Sequence, residues 1–465
     1  AANLDLEADR LGVRAAERNV AVARSAFRPS LEAGILGVTI DDDRAEASFG
    51  QQAERTLQAS LTASQLIFSD GASAGVEIEK ALYEARQASY DTLTLDIAFE
   101  AGVSYLNLLR AETLQRVRRN NLDLTRSNLE LAELRVEVGA ANPSETFRWQ
   151  SQIASDRQEL IAAAAQVQQA QLAVNRLMHR DLETRFATVE IGLTSEFLID
   201  QGDISGFIAT PERFAVTRDF TVQEGLRNSP LLRTLGASLD AQSRQLKAAR
   251  RAFYLPQVAA QLSLDHLLET AGAGSDVAVP AGSPSADDTS WSLSLSASLP
   301  LLTGGARRAQ QLQAEEEVRR LETEVEAASE RIAESIRAAM IATRASFLAI
   351  DLAEQAAAAA SRSQDLVADA YARGNVSIID LLDAQNAFLN AELAAANAVY
   401  DFFIDLLQVE RAASRFYILD EPAERDAWLE RLLAYFNERG LDVWRPTPFR
   451  QPDPDPASTA AGGVR

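Results

Sequence analysis

The stretch that decides the fold is residues 291–299, which read WSLSLSASL. Apolar residues alternate with serine, and this period of two predicts a β-strand with one apolar and one polar face. Thr303-Gly304 follows, and a proline-free run from Ala306 to about Arg373 then predicts a single very long helix. A strand, a turn and a long helix therefore belong to one structural unit.

That unit occurs twice in the chain. Pro29 and Pro256 each precede a strand, and Gly139 and Gly374 each interrupt a long helical pattern. The offset between the copies grows only from 227 residues at the prolines to 235 at the glycines. Such a slow drift indicates a duplicated strand–strand–long helix–turn–helix unit with small loop insertions. The predicted fold is mainly α with a small β part.

The two copies set the predicted boundaries. We expect strands within 31–68 and 256–302, and helices within 4–28, 72–179, 220–253 and 306–416. Residues 220–253 are expected to be helical, and Asp41 to Glu54 to be a polar loop. The segments 180–218 and 417–450, the latter with a short helix over about 422–439, are expected to form a belt around the helices. Residues 451–465 are expected to be disordered.

The strand and helix lengths predict an assembly. Each strand has about 9–12 residues, which is close to what a tilted strand needs to cross a bilayer. A single four-stranded sheet in lipid would leave costly open edges. Three copies would close about 12 strands into a barrel. The long helices would each span roughly 100 Å, which is typical of coiled-coil-like packing.

Composition limits the other functions. The chain has 45 Lys+Arg against 67 Asp+Glu, and its net charge of −22 disfavours nucleic-acid binding. There is no cysteine, and His179 and His266 are the only histidines, so thiolate sites and histidine-based catalysis have little basis. We expect no cofactor, no metal site and no enzymatic activity. Asp41 to Asp43 could hold a divalent ion, but a solvated loop is favoured.

Both helix turns carry clear capping signals. Gly139 predicts a left-handed cap, after which Asn142 would cap the next helix, Pro143 would open it and Glu145 would reach back. The second turn repeats this pattern, with Ser377 and Asp380 as its capping pair. The residues of the two turns are Gly139, Asn142, Pro143, Ser144, Gly374, Asn375, Val376 and Ser377.

Residues 371–385, YARGNVSIIDLLDAQ, carry a resemblance to a known family. The chain resembles the TolC family of outer-membrane efflux proteins over about residues 4–416. This resemblance implies a homotrimer with a 12-stranded barrel in outer-membrane lipid and an α-helical tunnel in the periplasm. It further implies docking to a periplasmic adaptor protein and an inner-membrane pump.

The resemblance also implies roles for individual residues. Asp380 and Asp383 stand where the family narrows its periplasmic entrance, and Tyr371 matches a tyrosine that helps to close it. The turn residues would contact the adaptor. The two aspartates and the turn residues also have simpler interpretations: Asp380 as a cap, Asp383 as a solvated carboxylate, and the turn residues as turn formers. Trp291 is either a membrane-interface aromatic or an ordinary packing residue.

We therefore expect a passive export duct, with small-molecule efflux favoured over type I protein secretion. A structural coiled-coil scaffold is the alternative from another class, but it does not explain the alternating strands. An enzyme is the third class, and the sequence offers no nucleophile–base pair or phosphate loop for it.

Overall fold

A computed structural model describes residues 3–48, 50–190, 207, 210–275, 287–416 and 420–441. The helices are α1 (Leu4–Ser25), α2 (Asp42–Ala47), α3 (Asp70–Glu137), α4 (Ser144–Leu177), α5 (Pro211–Asn228), α6 (Pro230–Arg251), α7 (Ala306–Ala372), α8 (Ile378–Ala412) and α9 (Pro422–Glu438). The strands are β1 (Ser30–Thr39), β2 (Arg55–Phe68), β3 (Gln257–Ala271) and β4 (Thr289–Ser298). The predicted mainly α, duplicated fold is confirmed.

The chain divides into two compact units. One comprises Ala1–Asp9, Tyr90–Leu232 and Ala327–Arg465, and the other comprises Arg10–Ser89 and Arg233–Glu326. The second unit contains the sheet, and the first contains both turns between long helices. Among the described residues, no helix has the length and hydropathy needed to cross a membrane.

The sheet is antiparallel in the order β1-β2-β3-β4, so β1 and β4 are its edges. The register places Leu61 opposite Leu264, and Leu264 opposite Trp291. Strand alternation therefore collects exposed apolar residues on one face: Leu31, Ile35, Leu61, Leu262, Leu264, Trp291, Leu293 and Leu295. The opposite face carries Leu36 and Val38 at one end of β1 but is otherwise mostly polar, with Glu32, Ser60, Thr62, Ser64, Gln261, Ser263, Asp265, Ser292, Ser294 and Ser296.

The predicted helical region over 220–253 is interrupted once. The structure has two helices, α5 and α6, which Ser229 separates with an extended ψ of 115°. Pro230 explains the break, because a residue before proline is driven out of the helical region. Helix α5 also begins earlier than expected, at Pro211, where the Thr210 hydroxyl accepts a 3.3 Å hydrogen bond from the Arg213 amide.

The expected polar loop between the first two strands contains a short helix, α2. Asp41 caps it by accepting a 3.3 Å hydrogen bond from the Arg44 amide. The expected belt is described only in part, because 191–206, 208–209, 417–419 and 442–450 lie outside the described residues, as does the expected disordered tail. In the described part, α5 packs against α9 through Val216, Phe220, Leu432 and Phe436.

The first unit has a well-packed helical interior. An aromatic cluster joins α3, α7 and α8 through Leu106, Leu109, Ile350, Tyr400, Phe402 and Phe403. Close helix packing also depends on Gly225, since an added Cβ would come within 2.4 Å of Ile336 Cδ1. These contacts hold the helices that carry the two turns.

The two helix turns as the candidate functional site

The first turn, between α3 and α4, is closed by a left-handed glycine. Gly139 has φ +73°, and the Ala140 amide donates to the Arg135 carbonyl at 2.7 Å, as at a glycine-capped helix end. The Asn142 side chain accepts a 2.9 Å hydrogen bond from the Ser144 amide. Helix α4 begins at Ser144, one residue later than predicted. Gly139, Asn142, Pro143 and Ser144 are all exposed.

The second turn, between α7 and α8, has the predicted capping chemistry. Gly374 has φ +77° and donates its amide to the Tyr371 carbonyl at 2.9 Å. The Ser377 amide and hydroxyl donate to Asp380 Oδ2 at 2.8 and 2.7 Å, and the Asp380 amide donates back to Ser377 Oγ at 3.4 Å. This capping box is confirmed. Gly374, Asn375 and Ser377 are exposed, whereas Val376 is half-buried.

A small buried core joins the two turns, and we call it the tip cluster. It consists of Ala132, Trp149, Tyr371, Ile378 and Leu381, which come from α3, α4, α7 and α8. Trp149, Tyr371 and Leu381 have no exposed surface. Both turns are therefore held by one packed core within a single chain.

Tyr371 makes the main polar contact in this core. Its hydroxyl donates a 2.6 Å hydrogen bond to Glu145 Oε2, and its ring lies 4.1 Å from the guanidinium carbon of Arg135. Arg135 also donates to the Tyr371 carbonyl at 2.9 Å and lies 4.0 Å from the Glu145 carboxylate. Burial, followed by the hydrogen bond to Glu145, raises the pKa of Tyr371 to about 12.

This arrangement corrects the predicted role of Glu145. The sequence predicts that its side chain reaches back to cap α4, but the carboxylate instead accepts a hydrogen bond from the Tyr371 hydroxyl, 226 positions along the chain. The capping and repeat patterns of the sequence predict no role for Arg135 or Trp149. Their only sequence signal is position, since each lies within two turns of a predicted helix end.

The two candidate gate carboxylates are exposed. The Ser377 hydroxyl and then the Ser377 amide hydrogen-bond to Asp380 and hold its pKa below the usual value of 3.8. Asp383 lies three residues further along α8, so both carboxylates fall on the same side of the helix. The structure thus gives Asp380 a capping role and leaves Asp383 free of the capping box.

The remaining candidates lie in the second unit. Trp291 is 71% exposed on the apolar face of the sheet, opposite Leu264. Asp41, Asp42 and Asp43 bring one carboxylate oxygen each within 4.8 Å of the others, but all three residues are exposed and Asp41 already caps α2. His266 shares a 2.8 Å hydrogen bond with Thr289.

Known proteins share this fold. The outer-membrane channel CmeC of Campylobacter jejuni superposes with a TM-score of 0.72 at 17% identity, over 95% of this chain and 88% of CmeC. The outer membrane efflux protein BepC of Brucella suis is 21% identical over 417 residues, which is 89% of this chain and 83% of BepC. The pyoverdine export outer membrane protein OpmQ of Pseudomonas aeruginosa is 28% identical over 197 residues, 37% of this chain and 41% of OpmQ.

These similarities show that the protein is of the class of TolC-like outer-membrane channels. The outer membrane efflux protein family matches residues 1–179 and 221–414, and the chain belongs to that family. The protein is an outer-membrane efflux duct with a periplasmic helical extension. Channels of this family generally work with adaptor and pump partners.

Proposed function

We propose that three copies of this chain form a passive duct, with their sheets closed into a 12-stranded barrel. The observation that carries this proposal is the sheet itself, which has an exposed apolar face, a polar face and two edge strands. Closure in threefold symmetry would give every edge a partner, as lipid requires. The apolar face would then contact lipid, and the serine-rich face would line water.

In this proposal, the exposed turn residues dock the periplasmic adaptor. Gly139, Asn142, Pro143, Ser144, Gly374, Asn375 and Ser377 are accessible, which supports the proposal, and Val376 contributes by anchoring its turn to the tip cluster. The adaptor connects the duct to an inner-membrane pump, which supplies the driving force. The duct itself performs no chemistry.

Asp383 is the residue we assign to the entrance most directly. Three copies would place a ring of carboxylates at the mouth, which favours cations and repels anions. Asp380 contributes to this ring while capping α8. Tyr371 acts from inside the tip cluster, by holding α7 to α4, rather than by lining the opening.

Small-molecule export is the preferred cargo class. The partial likeness to OpmQ, a pyoverdine export protein, supports it. Type I protein secretion would use the same duct with a different pump. A coiled-coil scaffold is disfavoured, because it leaves the exposed apolar sheet face without a role.

Purified protein in planar bilayers tests the duct. We expect detergent-solubilised trimers with stable, cation-selective conductance, and Asp383→Asn should lower that selectivity without disturbing the α8 cap. Asp365→Asn, an exposed aspartate of α7, is the matched control and should leave selectivity unchanged. Monomeric protein that inserts no channels would refute the duct. Unchanged selectivity in Asp383→Asn would refute the gate assignment alone.

A further inference from the structure

A polar layer is buried between three helices of the first unit, and we call it the Gln385 layer. Its centre is Gln385 of α8, which is 2% exposed. Thr125 of α3 and Asp156 of α4, the latter a buried carboxylate, are 0% and 2% exposed. The full layer is Asn121, Thr125 and Asn128 from α3, Gln152 and Asp156 from α4, and Gln385.

The hydrogen bonds of this layer run in one direction. Asn128 donates to Gln385 Oε1 at 2.9 Å, and Gln385 Nε2 donates to Asn121 Oδ1 at 2.9 Å and to Thr125 Oγ1 at 2.7 Å. Thr125 in turn donates to Asp156 Oδ2 at 2.6 Å. The Thr125 hydroxyl also lies 2.9 Å from the Asn121 carbonyl oxygen. Because carbonyl and carboxylate oxygens accept, Thr125 is the donor in both contacts and its lone pairs remain for Gln385.

The layer interrupts an otherwise apolar contact. The buried positions of α8 at this surface are Ile378, Leu381, Gln385 and Leu389. Their spacing is that of the apolar face of a helix, so Gln385 occupies a position where an aliphatic residue is expected. The equivalent residue of the first repeat, Gln150, is exposed on α4. A single polar residue buried in an otherwise apolar interface between helices is best known for fixing the register of those helices.

We infer that the Gln385 layer locks the register and rotation of α8, and so positions Asp380 and Asp383. At 3.6 residues per turn, these aspartates lie roughly 140° and 160° around the helix from Gln385, on its opposite side. A slip of one residue would turn them by about 100°. The positioning of Asp380 and Asp383 rests on the proposed gate. The register lock does not, because it is inferred from the contacts of the Gln385 layer alone.

The direction of the hydrogen bonds allows a swap experiment. Gln385→Glu replaces two donors with an acceptor and sets a new carboxylate against a Thr125 hydroxyl that is already committed to Asp156. Asp156→Asn supplies a donor to Thr125, which frees the Thr125 hydroxyl to donate to that new carboxylate on α8. The double variant therefore reverses the hydrogen bonds between residues 385, 125 and 156 with the same net charge. Asn128 still donates to residue 385, and the Asn121 amide turns over so that its Nδ2, in place of its Oδ1, faces the new carboxylate.

We expect Gln385→Glu to lower the thermal midpoint of the full-length trimer, and the added Asp156→Asn to return it close to wild type. Gln364→Glu is the matched control, since Gln364 is a glutamine of α7 that is 7% exposed and lies outside the layer. Asp156→Asn should not relieve its effect. Equal midpoints for Gln385→Glu with and without Asp156→Asn would overturn the register lock.

Channel measurements test the positioning separately. Gln385→Met keeps the side-chain length and introduces no buried charge. We therefore expect this variant to fold into trimers even if Gln385→Glu does not. In planar bilayers, we expect half-block of the Gln385→Met channel to require about a tenfold higher La³⁺ concentration than half-block of the wild-type channel. For the double variant Gln385→Glu with Asp156→Asn, that concentration should lie within about twofold of the wild-type value.

The outcomes of these experiments separate the two proposals. If Asp383→Asn alters the block and Gln385→Met does not, the positioning role is wrong. If Asp383→Asn leaves the block unchanged while the swapped pair still recovers its thermal midpoint, the gate proposal fails and the register lock survives.

Discussion

The Tyr371 hydroxyl donates a 2.6 Å hydrogen bond to Glu145, which joins the last turn of α7 to the first turn of α4. The bond lies beside the fully buried Trp149 and beneath the guanidinium of Arg135. The two helix turns of one chain are thus tied together by a charge-assisted contact between a buried phenol and a partly buried carboxylate, and partial burial strengthens such bonds. Movement of either turn away from the other must break it.

Removal of this hydroxyl should therefore loosen the turns. We expect Tyr371→Phe to lower the free energy of unfolding by about 2 kcal/mol, because it leaves a partly buried carboxylate without its donor. In bilayers the variant should show a higher conductance. Tyr83→Phe is the control, since the Tyr83 hydroxyl only accepts from Gln87 on an exposed helix surface. If Tyr371→Phe kept wild-type stability and conductance, the Tyr371–Glu145 hydrogen bond would not be what holds the two turns together.

Alkaline pH should release the same contact. The pKa of Tyr371 is raised from 10.0 to about 12, so folding favours the protonated phenol. The stabilisation is complete below pH 10 and is lost as the pH rises towards 12. We expect tyrosinate absorbance to include a late-titrating component that Tyr371→Phe removes. A late component that persists in the variant would assign it to another tyrosine.

The second turn offers a test of the cap alone. Ser377→Ala removes the hydroxyl that bonds Asp380 and should speed amide hydrogen exchange in the first turn of α8. Because the pKa of Asp380 is lowered, its contribution is present above pH 3.8 and is lost as the pH falls further, so exchange is best compared near neutrality. Peptides from the start of α4 provide the internal reference. Unchanged exchange at 378–381 would show that the cap adds no protection.

The sequence predicts those features that depend on neighbouring residues. Gly139 and Gly374 are recognisable as left-handed caps, and the Ser377–Asp380 box follows from its three-residue spacing. The alternation at 291–298 predicts a strand for the same reason, since its signal lies entirely within ten residues. Each of these features is decided by local backbone chemistry.

Features that depend on distant partners are not predictable in this way. Glu145 fits a capping pattern, yet its carboxylate accepts a hydrogen bond from the hydroxyl of Tyr371, which belongs to the other repeat. Gln150 and Gln385 occupy equivalent positions, but only Gln385 meets Asn121 and Thr125 and is buried. Periodicity reports which face of a helix is apolar, and not which helix will cover it.

The apolar face of the sheet gives a final prediction, at Trp291. This side chain is 71% exposed in a single chain and lies beside Leu264 and Leu293 on the apolar face. If that face contacts lipid, brominated phospholipids should quench part of the tryptophan fluorescence of reconstituted protein, and Trp291→Phe should remove that part. Trp149→Phe is the comparison, because Trp149 is fully buried in the tip cluster and its emission should not report on lipid. Quenching that survives in Trp291→Phe would place the lipid contact elsewhere, whereas its loss would locate the bilayer on the face of β4 that carries Trp291, Leu293 and Leu295.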